Sequence, residues 1–131
     1  MDQKITDAIQ EICAAHSQIK LVYLFGSRVS DSVGPLSDYD FAIYVEMRDP
    51  LQIASIKHSL QDQISRELKT DEVDIVILND VQSPEFKYDV ISKGKIIYEQ
   101  EPYRIFFESR VLNEYFDFHA MLARYGLTKT L

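Results

Sequence analysis

A chain of 131 residues, 46% hydrophobic and 27% charged, is long enough to bury one core and too short for two, so residues 1–131 are read as a single domain. With 21 acidic against 14 basic residues the net charge is −7, a surface that repels phosphate backbones; stable nucleic-acid binding is not expected, and proteins or small molecules fit better. No apolar run is long enough to cross a bilayer, and the start "MDQKITDAIQEI" is too charged for a signal-peptide core, so no membrane association and a cytoplasmic location are expected.

In chain order, Ile5, Ile9, Ile12 and His16 recur at helical spacing and predict an amphipathic helix from about Asp2 to His16. The lone Cys13 lies at helical spacing from Ile9 and reads as a small core residue. "KLVYLF" predicts a buried strand that ends at Gly26, and after the turn "VGPL" a second strand, "DYDFAIYV", follows. "RDPLQIASIKHSLQDQISRELK" predicts a helix with Asp49 as amino-terminal cap and Pro50 in the first turn. Its inward stripe is Ile53, Ile56, Leu60, Ile64 and Leu68. A third strand, "VDIVIL", precedes a short helix, "SPEFKYDVISKG", stopped at Gly94, and a final strand, "KIIY". From Pro102 to Tyr125 one helical stripe holds Phe107, Val111, Tyr115, Phe118, Leu122 and Tyr125, and a second holds Ile105, Leu112 and Phe116. That is more apolar circumference than a terminal helix on a small domain hides. Two readings stay open for residues 102–125: a helix packed on the sheet, or one that also meets another protein. Strands alternating with helices predict an α/β layered architecture.

Acids interrupt this apolar pattern in two places. Strand alternation sends Asp38 and Asp40 to the same face as Ala42 and Tyr44, while Tyr39, Phe41, Ile43 and Val45 face the other way. Two carboxylates held together at the edge of a core raise each other's proton affinity unless a cation sits between them. Oxygen ligands with no neighbouring Cys or His suit Mg²⁺, with Mn²⁺ the alternative. Asp74 interrupts "EVDIVIL" in the same way and becomes a third acid if the two strands are neighbours. Gly26 and Ser27 close the first strand and open a turn whose backbone N–H groups and hydroxyl suit an anion. Arg28 would either add charge to that seat or pair with a surface acid.

Taken together, the strand, Gly-Ser, the spacer, Asp-x-Asp and the later strand Asp resemble the nucleotidyltransferase superfamily that includes DNA polymerase β. The chain is more closely similar to the minimal nucleotidyltransferases, the MNT-domain members of HEPN/MNT toxin–antitoxin pairs. The resemblance runs from the first strand to about Tyr98, and "GSRVSDSVGPLSDYD" carries most of its specificity. It implies a mixed β-sheet flanked by helices, with Gly26 and Ser27 holding the triphosphate of ATP. It also implies Asp38, Asp40 and Asp74 as metal-binding catalytic residues, with Asp74 activating the acceptor. The implied activity is that of an antitoxin transferring AMP from ATP to a tyrosine of a cognate HEPN ribonuclease.

Metals would supply the charge neutralisation and alignment that attack on an α-phosphorus requires, and Tyr44 is a candidate shelf for the base. His16, His58 and His119 show no metal spacing. No P-loop, G-x-G-x-x-G, G-x-S-x-G or C-x-x-C motif is present, which removes the sequence case for a Walker ATPase, a dinucleotide oxidoreductase or a common serine hydrolase. Two alternatives stay open beside the protein adenylyltransferase: an antitoxin that sequesters its partner by binding alone, and a transferase acting on a small molecule such as an aminoglycoside. Oligomerisation, with itself or with the partner, is left open.

Overall fold

The first stripe becomes α1 (Gln3–Ala14) in a computed structural model of the protein, which describes residues 2–26 and 39–127. Asp2 starts it: its carboxylate accepts the Ile5 amide at 2.8 Å, satisfying one of the donors that a first helical turn leaves without a partner. The apolar runs become β1 (Ile19–Phe25) and β2 (Tyr39–Val45). The next helix, α2 (Pro50–Leu68), begins as expected, with Asp49 accepting the Leu51 amide and Pro50 in the first turn. It is followed by β3 (Val73–Ile77), where Leu78, expected in the strand, instead opens a 3-10 turn over Leu78–Asp80. Ser83 caps α3 (Pro84–Lys93), and β4 (Lys95–Glu99) and α4 (Tyr103–Arg124) follow.

Among the described residues the sheet has four strands, in the order β3-β2-β1-β4. β1 pairs antiparallel with both β2 and β4, whereas the α2 crossover brings β3 in parallel to β2, so the sheet is mixed as the resemblance implied. A register shift between Ile19 and Leu21 changes the alternation there. Ile19 and Val22 share one side, and Leu21 and Tyr23 the other.

One face packs on α1 and α2 through Ile9, Cys13, Ile53, Leu60 and Ile64, with Ile56 and Leu68 at its margin. Burial pushes the Cys13 thiol up to about 12, so it stays protonated and acts as a core residue. The other face packs on α3 and α4 through Leu21, Tyr23, Ala42, Leu78, Val90, Phe107 and Val111. Tyr23 ties α4 to this face, since its hydroxyl donates to Glu108 at 2.6 Å. Burial and then that carboxylate push the phenol's pKa upward. Arg104 closes the network, donating to Glu108 at 3.1 Å and to Glu99 at 3.2 Å.

The expected long inward stripe of α4 is only partly realised. Phe107 and Val111 are buried, Tyr115, Phe118 and Leu122 are half-buried, and Tyr125 lies past the helix end at 67% exposure. The cause is length: a helix of 22 residues spans about 33 Å at about 1.5 Å per residue, longer than the strands beneath it. Its second half therefore packs on α3, where the Tyr88 and Tyr115 rings stack at 3.9 Å and Lys87 pairs with Glu114 at 2.8 Å. Among the described residues no helix is long and apolar enough to cross a membrane.

Candidate functional site

β1 delivers the chain to Gly26, whose φ of 85° lies where residues with a side chain are strained. A second constraint acts at the same atom: a Cβ there would lie 2.6 Å from Oδ2 of Asp40. The Asp40 carboxylate thus covers the glycine, and only a hydrogen fits between them.

Asp40 is placed by two registers, opposite Phe25 on β1 and opposite Asp74 on β3. Val73, Ile75 and Ile77 enter the α1/α2 core, so alternation turns Asp74 to the other face, where Ala42 and Tyr44 also lie. The two carboxylates are therefore cross-strand neighbours on one face, as required for a shared site. The Phe25 and Phe86 rings meet at right angles beside them, centroids 5.6 Å apart, within the apolar layer.

Ser27, Arg28 and Asp38 fall outside the described residues, so the second half of the expected phosphate seat and the first acid are not placed. Among the described residues no three ligating side chains come together; these residues contribute the pair Asp40 and Asp74. Their setting differs from the expectation of acids crowded at a core edge, since Asp40 is half-buried and Asp74 is exposed. At Asp74 water offsets part of the like-charge repulsion that would otherwise call for a bound cation. Both are oxygen donors reachable from solvent, which fits a hard divalent ion such as Mg²⁺.

Tyr44, the candidate base shelf, lies two alternations along β2 from Asp40. Its ring is already engaged, tilted against Phe107 at 4.8 Å with the Arg110 guanidinium 5.8 Å away. His16 meets Gln63 at 3.1 Å, His58 is exposed, and His119 lies 4.3 Å from the Tyr115 ring. Among the described residues none of the three shares a ligand cluster. Sequence reasoning missed a polar cavity at the carboxyl end of β2, lined by Tyr44, Arg48, Asn79, Lys87 and Arg110. Those residues come from four separate segments and carry no common spacing.

The family model for polymerase beta nucleotidyltransferases matches residues 7–103. No curated protein sequence matches the chain at a significant level. Among solved structures, the fold is similar to a chain of a toxin–antitoxin crystallised with AMP-PNP, with a TM-score of 0.72 at 19% identity over 95% of each chain. It is likewise similar to a chain in the complex of tri-AMPylated Shewanella oneidensis HEPN toxin with MNT antitoxin, with a TM-score of 0.70 at 20% identity, again over 95% of each. A chain of the toxin–antitoxin MntA–HepT gives a TM-score of 0.68 at 21% identity with the same coverage.

Proposed function

We propose, for a chain that belongs to the polymerase beta nucleotidyltransferase family, that it is an antitoxin which transfers AMP from ATP to a tyrosine of a HEPN toxin and thereby silences it. The observation that carries this reading is the pairing of Asp40 with Asp74 across adjacent strands, on one face, beside a glycine with room only for hydrogen. Support for the donor comes from the fold neighbour crystallised with AMP-PNP, and for the acceptor from the neighbour whose HEPN toxin is AMPylated.

In this reading the tyrosine hydroxyl attacks the α-phosphorus in line. The bond to the bridging oxygen breaks, pyrophosphate departs, and the hydroxyl proton passes to Asp74 or to water. Gly26 and Ser27 seat the triphosphate through backbone N–H groups and the hydroxyl. Asp38, Asp40 and Asp74 would hold Mg²⁺, which when bound supplies charge neutralisation and acidifies the acceptor hydroxyl.

The partner would dock on residues 102–125. Ile105, Phe106, Leu112 and Phe116 are exposed on α4, and Ile105, Leu112 and Phe116 form one stripe at helical spacing. The test is transfer of label from α-labelled ATP to the co-purified HEPN partner. Asp40→Asn should cut it at least about a thousandfold, a loss of about 4 kcal/mol of transition-state stabilisation, with an unchanged circular dichroism spectrum. Undiminished transfer removes the mechanism, and transfer to an aminoglycoside without the partner moves the activity to small molecules.

The exposed stripe on α4 also favours a second reading, an antitoxin that neutralises by binding alone. It requires Asp40→Asn to protect cells fully from the toxin and Phe116→Asp to fail.

A further inference from the structure

The geometry points to a second ligand site, for a small phosphate-bearing molecule, at the opposite end of the sheet face that carries the acids. A cavity of about 610 Å³ lies there between the carboxyl end of β2, the 3-10 turn, α3 and α4, within the usual range of small-molecule sites. Asp40 and Tyr44 are four residues apart, so the cavity begins about 13 Å along the strand from the acid, at about 3.3 Å per residue.

Its charge is opposite to that of the acid end and to that of the chain as a whole. Arg48, Lys87 and Arg110 line it, against Glu46 and Glu114. The carboxylates are not equally placed. Glu114 is committed to Lys87 at 2.8 Å, an ion pair that joins α3 to α4 with the lysine side chain only 13% exposed. Glu46 receives the Tyr44 hydroxyl at 3.4 Å, and that hydroxyl in turn accepts from Arg110 at 3.3 Å. Among the described residues neither Arg48 nor Arg110 makes an ion pair with a carboxylate.

Arg48, on the loop after β2, and Arg110, on α4, therefore line one concave space. Planar guanidinium forks match phosphate oxygens in pairs, and partial enclosure strengthens each contact relative to bulk water. The floor is rigid: Asn79 holds Val45 at both backbone groups, accepting from its N–H at 3.0 Å and donating to its carbonyl at 2.7 Å. Phe107 and Tyr44 supply the apolar wall. The site rests on no part of the transferase reading, because it uses none of the acids and needs no divalent ion.

The experiment is a titration of the full chain, in EDTA, with AMP and with inorganic phosphate, followed by backbone amide shifts in NMR. Saturable shifts centred on Tyr44 to Arg48, Asn79 and Arg110 are expected with at least one of the two probes. The double variant Arg48→Gln, Arg110→Gln should weaken binding at least tenfold while keeping a folded spectrum, and Asp40→Asn should leave it within twofold. Shifts centred on Gly26, Asp40 and Asp74, shifts that survive the double variant, or no saturable shift with either probe overturn the proposal. Acetate binding as tightly as phosphate overturns the ligand class.

Discussion

The two faces of one sheet have been put to different uses. The face toward α1 and α2 is closed by apolar side chains, with Ile9, Phe41, Leu60 and Ile64 fully buried. The face toward α3 and α4 carries Asp40, Asp74, Tyr23 and Tyr44 among its apolar residues. A closed layer can be satisfied by shape and apolar area alone. A layer that admits charge leaves its ends open to water, and it does so at both: Asp40 and Asp74 at one end, Arg48 and Arg110 at the other. In the proposed reading stability and chemistry are thereby divided between the faces, and variants test that division.

The largest effect is expected at the closed face. Leu60 is fully buried between α2 and the sheet, and Leu60→Ala should cost about 2–5 kcal/mol in urea unfolding, because the cavity left behind adds to the lost transfer energy. Activity per folded molecule should be unchanged. A loss of transfer larger than the loss of folded protein would show that the faces are coupled.

Next comes the open face. Gly26→Ala places a Cβ against Oδ2 of Asp40 and imposes a positive φ on a residue with a side chain. Displacement of Asp40 by a fraction of an ångström should lower nucleotide transfer about a hundredfold, or about 2.7 kcal/mol, in the label-transfer assay. Wild-type rates would mean that Asp40 is not held in position by this contact.

How much of this division is legible in the sequence depends on how local each determinant is. Asp49 before Pro50 and Ser83 before Pro84 announce the starts of α2 and α3, because capping is settled within one turn. Alternation alone puts Asp40 on the face of Ala42 and Tyr44, opposite Phe41 and Ile43. The adjacency of Asp40 and Asp74 needed the sheet order, which strand periodicity does not supply. The bulge near Lys20, the reach of α4 past the strands, and the meeting of Arg48, Lys87 and Arg110 depend on tertiary packing and leave no local pattern. Gly26 was legible as a turn residue, but its contact with Asp40 was not.

A third, smaller effect concerns the polar link within the open face. Tyr23→Phe removes the 2.6 Å hydrogen bond to Glu108 and should cost about 1.5–2 kcal/mol, the lower part of the range for bonds to a charged partner. The pH dependence sharpens it. The native phenol keeps its proton above the ordinary tyrosine value of 10.0, whereas the unfolded one loses it there. The contribution is therefore whole below pH 10 and declines as pH rises further. Tyr23→Phe should flatten that decline in chemical denaturation measured from pH 8 upward, and an unchanged slope would remove Tyr23 as its source.

The smallest effects compare the helix caps of the two faces directly. Asp49 accepts the Leu51 amide at 3.0 Å and Ser83 accepts the Phe86 amide at 3.1 Å, so each alanine variant removes one similar bond, worth about 1 kcal/mol. The helices behind them differ: α2 buries Ile53, Leu60 and Ile64, whereas α3 buries Val90 alone. A helix with several fully buried side chains unfolds with the whole domain, and one with a single fully buried residue, its other contacts lying in the half-buried layer, opens locally first. Asp49→Ala should therefore lower global stability by about the full 1 kcal/mol. Ser83→Ala should leave the global transition nearly unmoved while speeding amide exchange in α3. Equal global losses for both would mean that the open face is as firmly joined to the sheet as the closed one.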